Sequence, residues 1–504
     1  MSNPLHDALF APLRDRNTRF LTLPDGTEIS GAAFYQRCAK TAGALVAAGL
    51  RPGDRLAVQV EKSAESLAVY GGAVIAGVVF LPLNTAYTAD EVTYFLADAG
   101  AALVLVDGAK AAALAPVAAR CGARLAVLNA DGTGSFADLA RDHPAAFPTE
   151  ARGPDDLAAF LYTSGTTGRS KGAMLSHENL LSNAQVLTRA WRFTADDVLL
   201  HALPIFHTHG LFVATNVALL AGAKLIFLPK FDAEQVIGLL PRATAMMGVP
   251  TFYTRLLADP RLTRDLVGHM RLFVSGSAPL LADTHRQWQD RTGQIILERY
   301  GMTETNMITS NPYDGARRAG TVGQPLPGVE VRICDADGAD LPCGDVGVIE
   351  VRGPNVFQGY WQMPEKTRED LRADGFFSTG DLGVMDDQGY VTIVGRAKDL
   401  VISGGFNVYP KEVEDLIDAL PGVLESAVIG VPHPDFGEAV VAVVVPRNGA
   451  TLEPAQIMAD LVPNLARFKQ PKFIEIRDDL PRNTMGKVQK KLLRDQLAGV
   501  FAAS

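Results

Sequence analysis

The chain has 504 residues, nearly half of them apolar and a fifth charged, with a formal net charge of −9. That length exceeds one ordinary core, so two or more domains are expected in a soluble globular protein. The acidic balance argues against nucleic acid or an anionic membrane as the main partner, so any anion site must be built from local cations.

Residues Met1 to Asp7 carry no basic stretch and no long apolar run, and do not read as a signal peptide. From 28 to 150, helical patterns (32–48, 63–76 and 109–120) alternate with short apolar strands (55–60, 79–83, 102–106 and 125–128). Such alternation predicts a parallel α/β sheet. The longest apolar run, 67–83, is broken by Gly71, Gly72 and Gly77 and ends against Pro82. It fits a buried helix leading into a strand better than a membrane span. Residues 129–156 are Gly/Asp/Pro-rich and read as a loop. The α/β style resumes over 157–310, with strands expected at 157–162, 198–203, 224–228, 245–249, 271–275 and 295–298. From 320 to 395, short strands punctuated by Asp337-Gly338, Asp374-Gly375 and Gln388-Gly389 predict a small antiparallel unit. After a break at 395–399, helices at 410–420 and 454–465 and strands at 425–431, 439–445 and 473–476 suffice for a small α+β domain. Cys38, Cys121, Cys334 and Cys343 form no C-x-x-C pair, which fits a reducing cytoplasm.

One segment stands out chemically: Thr163-Ser164-Gly165-Thr166-Thr167-Gly168-Arg169-Ser170-Lys171-Gly172. It combines hydroxyls, three glycines and two cations, with no carboxylate. Glycines let backbone N–H groups turn toward a ligand, hydroxyls add donors, and Arg169 and Lys171 add charge. The segment lies between a strand signal and a helix starting near His177, and suits a polyphosphate. A Walker A loop would need glycine at position 170, where Ser170 stands, so a P-loop NTPase is disfavoured. A flexible Ser/Gly linker is the bland alternative, which the basic pair opposes.

Further along, Tyr300-Gly301-Met302-Thr303-Glu304 places a ring, a hydroxyl and a carboxylate just after a predicted strand. Tyr300 could stack on a purine, Thr303 could donate to a phosphate, and Glu304 could hold Mg²⁺. Thr379-Gly380-Asp381, ahead of an expected turn, offers an acid for ribose hydroxyls or simply a turn aspartate. Near the end, Gly486 can put Lys487 at the tip of a turn, although most such lysines are merely solvated.

Taken in order, the segments 163–172, 300–304, 379–381, 395–399 and 481–487 resemble the signatures of the acyl-adenylate-forming superfamily, across essentially the whole chain. The resemblance implies an α/β fold: a large N-terminal domain (1–397) of α/β subdomains plus a small β unit, and a small mobile α+β domain (398–504) hinged near Lys398. It implies an AMP-forming acid–thiol ligase using ATP, Mg²⁺ and CoA. ATP would be held by Thr163, Ser164, Gly165, Thr166, Thr167, Gly168, Lys171, Ser275, Gly276, Tyr300, Gly301, Thr303, Asp381 and Arg396. The metal would lie at Thr163 and Glu304. Lys487 would bridge the acid and the α-phosphate, with His207, Thr303 and Glu304 also catalytic. After a domain rotation, Ser403, Gly404 and Gly405 would face pantetheine.

For the acid, Arg255 starts from an apolar-flanked helix beside the expected acyl pocket. A buried guanidinium there would ask for a dicarboxylate, whereas a surface arginine would say nothing. Together with 203–210, 275–279 and 303–307, it resembles the malonate-activating branch of the superfamily. That resemblance implies malonate, with methylmalonate tolerated near Thr208 and Met307. It also puts His207 at the reacting carboxylate and Ser277 at the distal one. It makes Lys487 a candidate for reversible acetylation by an acetyltransferase/deacetylase pair. A fatty-acyl or aryl-CoA ligase, or a noncatalytic nucleotide-binding protein on the same fold, remains the alternative.

Overall fold

The computed structural model describes residues 2–163, 170–483 and 486–501. A six-stranded sheet takes the order Arg124–Val127, Leu103–Val106, Arg55–Gln59, Val79–Pro82, Leu157–Thr163 and Lys171–Ser176. Its first five strands run parallel and the last is antiparallel to its neighbour. Continuous apolar runs such as Leu103–Val106 make these strands, because both faces are covered by helices.

A nine-stranded sheet holds Leu272–Ser275, Ala245–Gly248, Val198–His201 and Lys224–Phe227 at its centre. On one side it continues through Leu297–Met302, Asn306–Ser310 and Gln324–Pro325. On the other it continues through Arg19–Thr22 and Glu28–Ser30, which come from the start of the chain. The α/β expectation therefore holds, but the two sheets are stitched together rather than consecutive.

Helices lie between the sheets. Gly31–Ala47 is capped by the Ser30 hydroxyl, and Ala64–Ile75 by a Ser63/Ser66 capping box. Tyr70 on the second meets the Phe212 ring at 5.8 Å, and its hydroxyl donates to Asn216 at 3.3 Å. One apolar cluster thus runs from Leu56 and Phe80 of the first sheet to Leu199 and Leu225 of the second.

The predicted antiparallel unit is a four-stranded sheet, Glu330–Cys334, Gly347–Arg352, Phe377–Met385 and Val391–Arg396. A short 3-10 turn, Ala397–Asp399, then leads into a separate five-stranded sheet built from Val401–Ser403, Phe406–Val408, Val423–His433, Gly437–Pro446 and Phe473–Ile476. Helices Pro410–Asp418 and Pro454–Leu461 cover it, and its two apolar clusters draw only on residues 401–501. No helix among the described residues is long and apolar enough to cross a membrane.

Two sequence expectations need correction. The strand placed at 295–298 is Leu297–Met302, so Tyr300 and Gly301 lie within it and the turn comes at 303–305. Gly301 is required there because a Cβ would sit 1.9 Å from the Asn306 carbonyl oxygen. Likewise Thr379, Gly380 and Asp381 lie inside Phe377–Met385, not before a turn, because Asp381 pairs in register with Arg396.

Candidate active site

The C-terminal ends of the central strands and the small domain enclose one cleft. On its nucleotide side, Asp381 is buried and sits between two partners. Arg396 Nε lies 2.7 Å from Oδ1, and the Tyr300 hydroxyl donates to Oδ2 at 2.5 Å. Burial, then the Asp381 charge, pushes the Tyr300 phenol far above its usual range, so Tyr300 stays a donor. The backbone N–H of Asp381 donates to Thr379 Oγ1.

Glu304 is buried one turn further on. Its Oε1 accepts from the Tyr360 hydroxyl at 3.0 Å, and burial raises its pKa against the opposing pull of that bond, Lys171 and Arg396. Lys171 Nζ sits 4.1 Å from the Tyr360 ring centroid and 3.6 Å from Asp370 Oδ2. Thr163 pairs with Lys171 across the strands, its hydroxyl donating to the Lys171 carbonyl at 3.4 Å. Ser164, Gly165, Thr166, Thr167 and Gly168 lie outside the described residues. Thr303 is half-buried in the turn beside Glu304.

A second part of the site is built around Arg299. Arg299 lies on the strand face opposite Glu298 and is 3 % exposed, yet among the described residues its Nε and Nη2 have no hydrogen-bond partner. Its guanidinium lies over Gly276, where a Cβ would come within 2.4 Å of Cζ. Burial drives its pKa down to about 9, the Tyr253 and Glu298 charges opposing. His207 and His209 share this field. Burial, then Arg299, then Lys487 lower His207 to about 4, and His209 falls well below its usual value. Both rings are neutral at pH 7. His209 Nδ1 lies 3.1 Å from Ser277 Oγ, while His209 Nε2 and the Thr208 hydroxyl are buried and find no partner among the described residues. Ser277 holds a φ of +73°, a strained conformation for a non-glycine residue. Met307 is buried with its backbone bonded to Asn183. A buried cation and several buried polar atoms share this space, a set of groups that suits an anion.

Arg255 does not share that space. Tyr253 and Leu256 take the buried face of Pro250–Leu257, which turns Arg255 outward into solvent. The buried guanidinium reasoned for Arg255 exists, but at Arg299, one residue before Tyr300. A Glu–Arg pair inside a buried strand, Glu298-Arg299, was the available signal. Ser275 is fully buried with an unpartnered hydroxyl, on the Glu298 side of the strand and so away from Arg299.

The small domain closes the cleft. Gly486, at φ +74°, lies against Thr251, with a Cβ position 3.3 Å from the threonine side chain. Arg447 Nη2 bridges to Asp283 Oδ2 at 2.7 Å. These contacts leave Lys487 among both domains' charges while part of its side chain still meets solvent. Desolvation within the cleft, then Arg396, lowers its pKa, opposed by Asp381 and Asp399. Lys398, in the 3-10 turn, is lowered to about 8 by burial and by Arg396 and Lys487 despite Asp399. Ser403, Gly404 and Gly405 form a hairpin tip whose glycines, with φ of +58° and +83°, are exposed.

Taken together, these features define an AMP-forming acyl-CoA ligase. The chain belongs to the AMP-binding enzyme family: the AMP-binding enzyme model matches residues 11–361, and its C-terminal domain model matches 412–487. A feruloyl-CoA synthase from Amycolatopsis sp is 38 % identical over 93 % of this chain and 94 % of its own length. A malonate–CoA ligase from Arabidopsis thaliana is 36 % identical over 89 % of this chain and 79 % of its own. The crystal structure of ATP-bound MatB from Rhodopseudomonas palustris superposes with a TM-score of 0.97, at 59 % identity over 99 % of both chains. The apo form of the same protein, at 59 % identity over 99 % of this chain and 100 % of its own, gives 0.86. The domain arrangement here therefore matches the ATP-bound form more closely.

Proposed function

We propose that this protein is a malonate–CoA ligase, converting ATP, malonate and CoA to AMP, pyrophosphate and malonyl-CoA through a malonyl-adenylate, and that it also accepts methylmalonate. The observation that carries the acid is Arg299. The relatives differ over the acid, feruloyl in one and malonate in another, so the pocket must decide. A fatty or aryl chain would leave the guanidinium unpaired and dry, whereas a second carboxylate pairs with Nε and Nη2 together. Thr208 and Met307 border the room left for a methyl branch.

In the first step, a malonate oxygen attacks the α-phosphorus of ATP and pyrophosphate departs. Two anions must approach, so the protein's task is positioning and charge balance. Lys487 faces the incoming carboxylate and the α-phosphate, and Lys171 faces the β- and γ-phosphates on release from Asp370. Asp381 and Arg396 hold the ribose end, with Tyr300 alongside. His207, neutral, contacts the reacting carboxylate without adding charge. Glu304 and Thr163 fit a magnesium–nucleotide, since that ion takes one or two protein oxygens and fills the rest with phosphate and water. The rising pKa of buried Glu304 is what such a cation would reverse. Bound there, Mg²⁺ would neutralise charge on the departing pyrophosphate.

In the second step, the domain beyond residue 397 rotates about Lys398. Lys487 withdraws, and the hairpin tip at Ser403, with its exposed Gly404 and Gly405, admits the pantetheine thiol, which displaces AMP from the acyl carbon. A reducing cytoplasm suits the four free cysteines. Acetylation of Lys487 would remove the charge the first step uses.

The test is a substrate panel of malonate, methylmalonate, succinate, acetate and octanoate, followed by pyrophosphate release with and without CoA. Malonate should give the highest kcat/KM. Preference for acetate or octanoate would refute the assignment.

A further inference from the structure

Lys62 does not belong to any signature of the site, yet it is 7 % exposed between the two sheets. It precedes the capping box of Ala64–Ile75. Its Nζ lies 2.8 Å from His201 Nδ1, 2.9 Å from the His201 carbonyl oxygen and 4.2 Å from the Phe227 ring centroid. Among the described residues no acid offsets its charge, and burial alone lowers its pKa.

His201 ends the strand Val198–His201, and its ring is neutral because burial and then Lys62 disfavour the imidazolium. With Nδ1 accepting from Lys62, the proton must sit on Nε2, which donates to the Gly210 carbonyl at 2.8 Å. The Thr215 hydroxyl donates to the same carbonyl at 2.9 Å.

Gly210 closes a tight loop. A Cβ there would lie 2.0 Å from the Pro204 carbonyl oxygen, and the N–H of Leu211 reaches back to the His207 carbonyl at 3.0 Å. Pro204, Ile205 and Phe206 of this loop also border a cavity of about 50 Å³, shared with Val58, Lys62 and Phe80. Packing therefore does not pin the loop on that side, and the polar chain from Lys62 must.

We infer that Lys62 is a positioning residue for the acid: acting through His201, it fixes the Gly210 carbonyl and so the His207–His209 turn that walls the acid pocket. This rests on that pocket being the acid site. Without Lys62, His201 Nδ1 loses its donor, and the other ring tautomer sets a lone pair against the Gly210 carbonyl. The turn then shifts toward the cavity, and the acid is held less well while the nucleotide contacts, on other strands, stay in place.

The test is steady-state kinetics of Lys62→Met and Thr215→Val beside the wild type, using the acid with the highest kcat/KM in the substrate panel. A wrong acid assignment then shows in the wild type and a wrong role for Lys62 only in the variants. Lys62→Met is expected to raise the acid KM at least tenfold with the ATP KM within twofold. Thr215→Val, which removes the second donor to the same carbonyl and keeps a similar volume, is expected to raise the acid KM about threefold. An unchanged acid KM in Lys62→Met, or equal rises in both KM values, overturns the inference. Should Lys62→Met fail to fold, an unchanged acid KM in Thr215→Val overturns it.

Discussion

Replacing Arg299 by leucine should make the protein more stable and nearly inactive on malonate. The guanidinium is buried with two nitrogens that meet no partner among the described residues, and burial already drags its pKa to about 9. An apolar side chain removes that penalty, and exchanges of buried charge for apolar groups stabilise by about 1–4 kcal/mol. In the ternary complex the same nitrogens bind the distal carboxylate as a fork. Truncating one partner of a buried charged contact costs about 2–5 kcal/mol. At roughly 1.4 kcal/mol per decade, this is a fall in kcat/KM for malonate of about 30- to 5,000-fold. Acetate lacks the second carboxylate and should lose nothing.

Two assays check this together. Thermal unfolding should show Arg299→Leu melting above the wild type without ligand. Malonate at about 100 times Kd, with an unreactive ATP analogue present, should add about 2.7 kcal/mol to the wild type only. Steady-state kinetics should show malonate turnover collapsing while acetate turnover holds or rises. A variant that melts lower, or loses malonate and acetate equally, would refute the reasoning that the ligand-free protein carries an unmet charge.

Other outcomes follow from the same geometry. Lys487→Ala should slow adenylation about 100- to 1,000-fold, yet leave thioester formation from supplied malonyl-adenylate near wild type; equal losses would contradict the division of labour. The lowered pKa of Lys487 means that its proton leaves earlier as pH rises. The alkaline limb of kcat/KM for adenylation should therefore fall below pH 10.5 and vanish in the alanine variant. Arg255→Ala should change stability by no more than about 0.5 kcal/mol, because the side chain is exposed. Malonate kinetics of that variant should stay within twofold, and a tenfold rise in KM would return the anion contact to Arg255.

Most strands and helices announce themselves by periodicity because their faces are buried by fixed neighbours. Phe473–Ile476 and the helix beginning at Pro410 are examples. What sequence spacing could not give was pairing across the chain. Arg19–Thr22 and Glu28–Ser30 are short strands that pair with each other, and the first of them joins Lys224–Phe227, some two hundred residues away. The same limit explains the arginine. Arg255 sits on a helix with one apolar face, and register alone decides whether residue 255 points in or out. Arg299 looked like part of the strand leading into Tyr300, and only Gly276 from the neighbouring strand reveals the space it fills. Tyr360, which ties Lys171 to Glu304, also escaped notice, since a tyrosine after glycine has no distinctive pattern. Asp381 and Arg396 lie closer together in sequence, and they face one another across a single hairpin.

The exchange of strands between the two large sheets also governs how this molecule can be taken apart. The first thirty residues finish one sheet while the helix after them packs against Ala64–Ile75, which sits in the chain between strands of the other sheet, and the chain crosses again after Lys171–Ser176. A cut near residue 150 would strip both sheets of an edge and leave two fragments that each expose half of the shared core. The natural seam for swapping parts between homologues is the short turn at Ala397–Asp399, where only one connection is severed and the unit beyond it keeps its own interior.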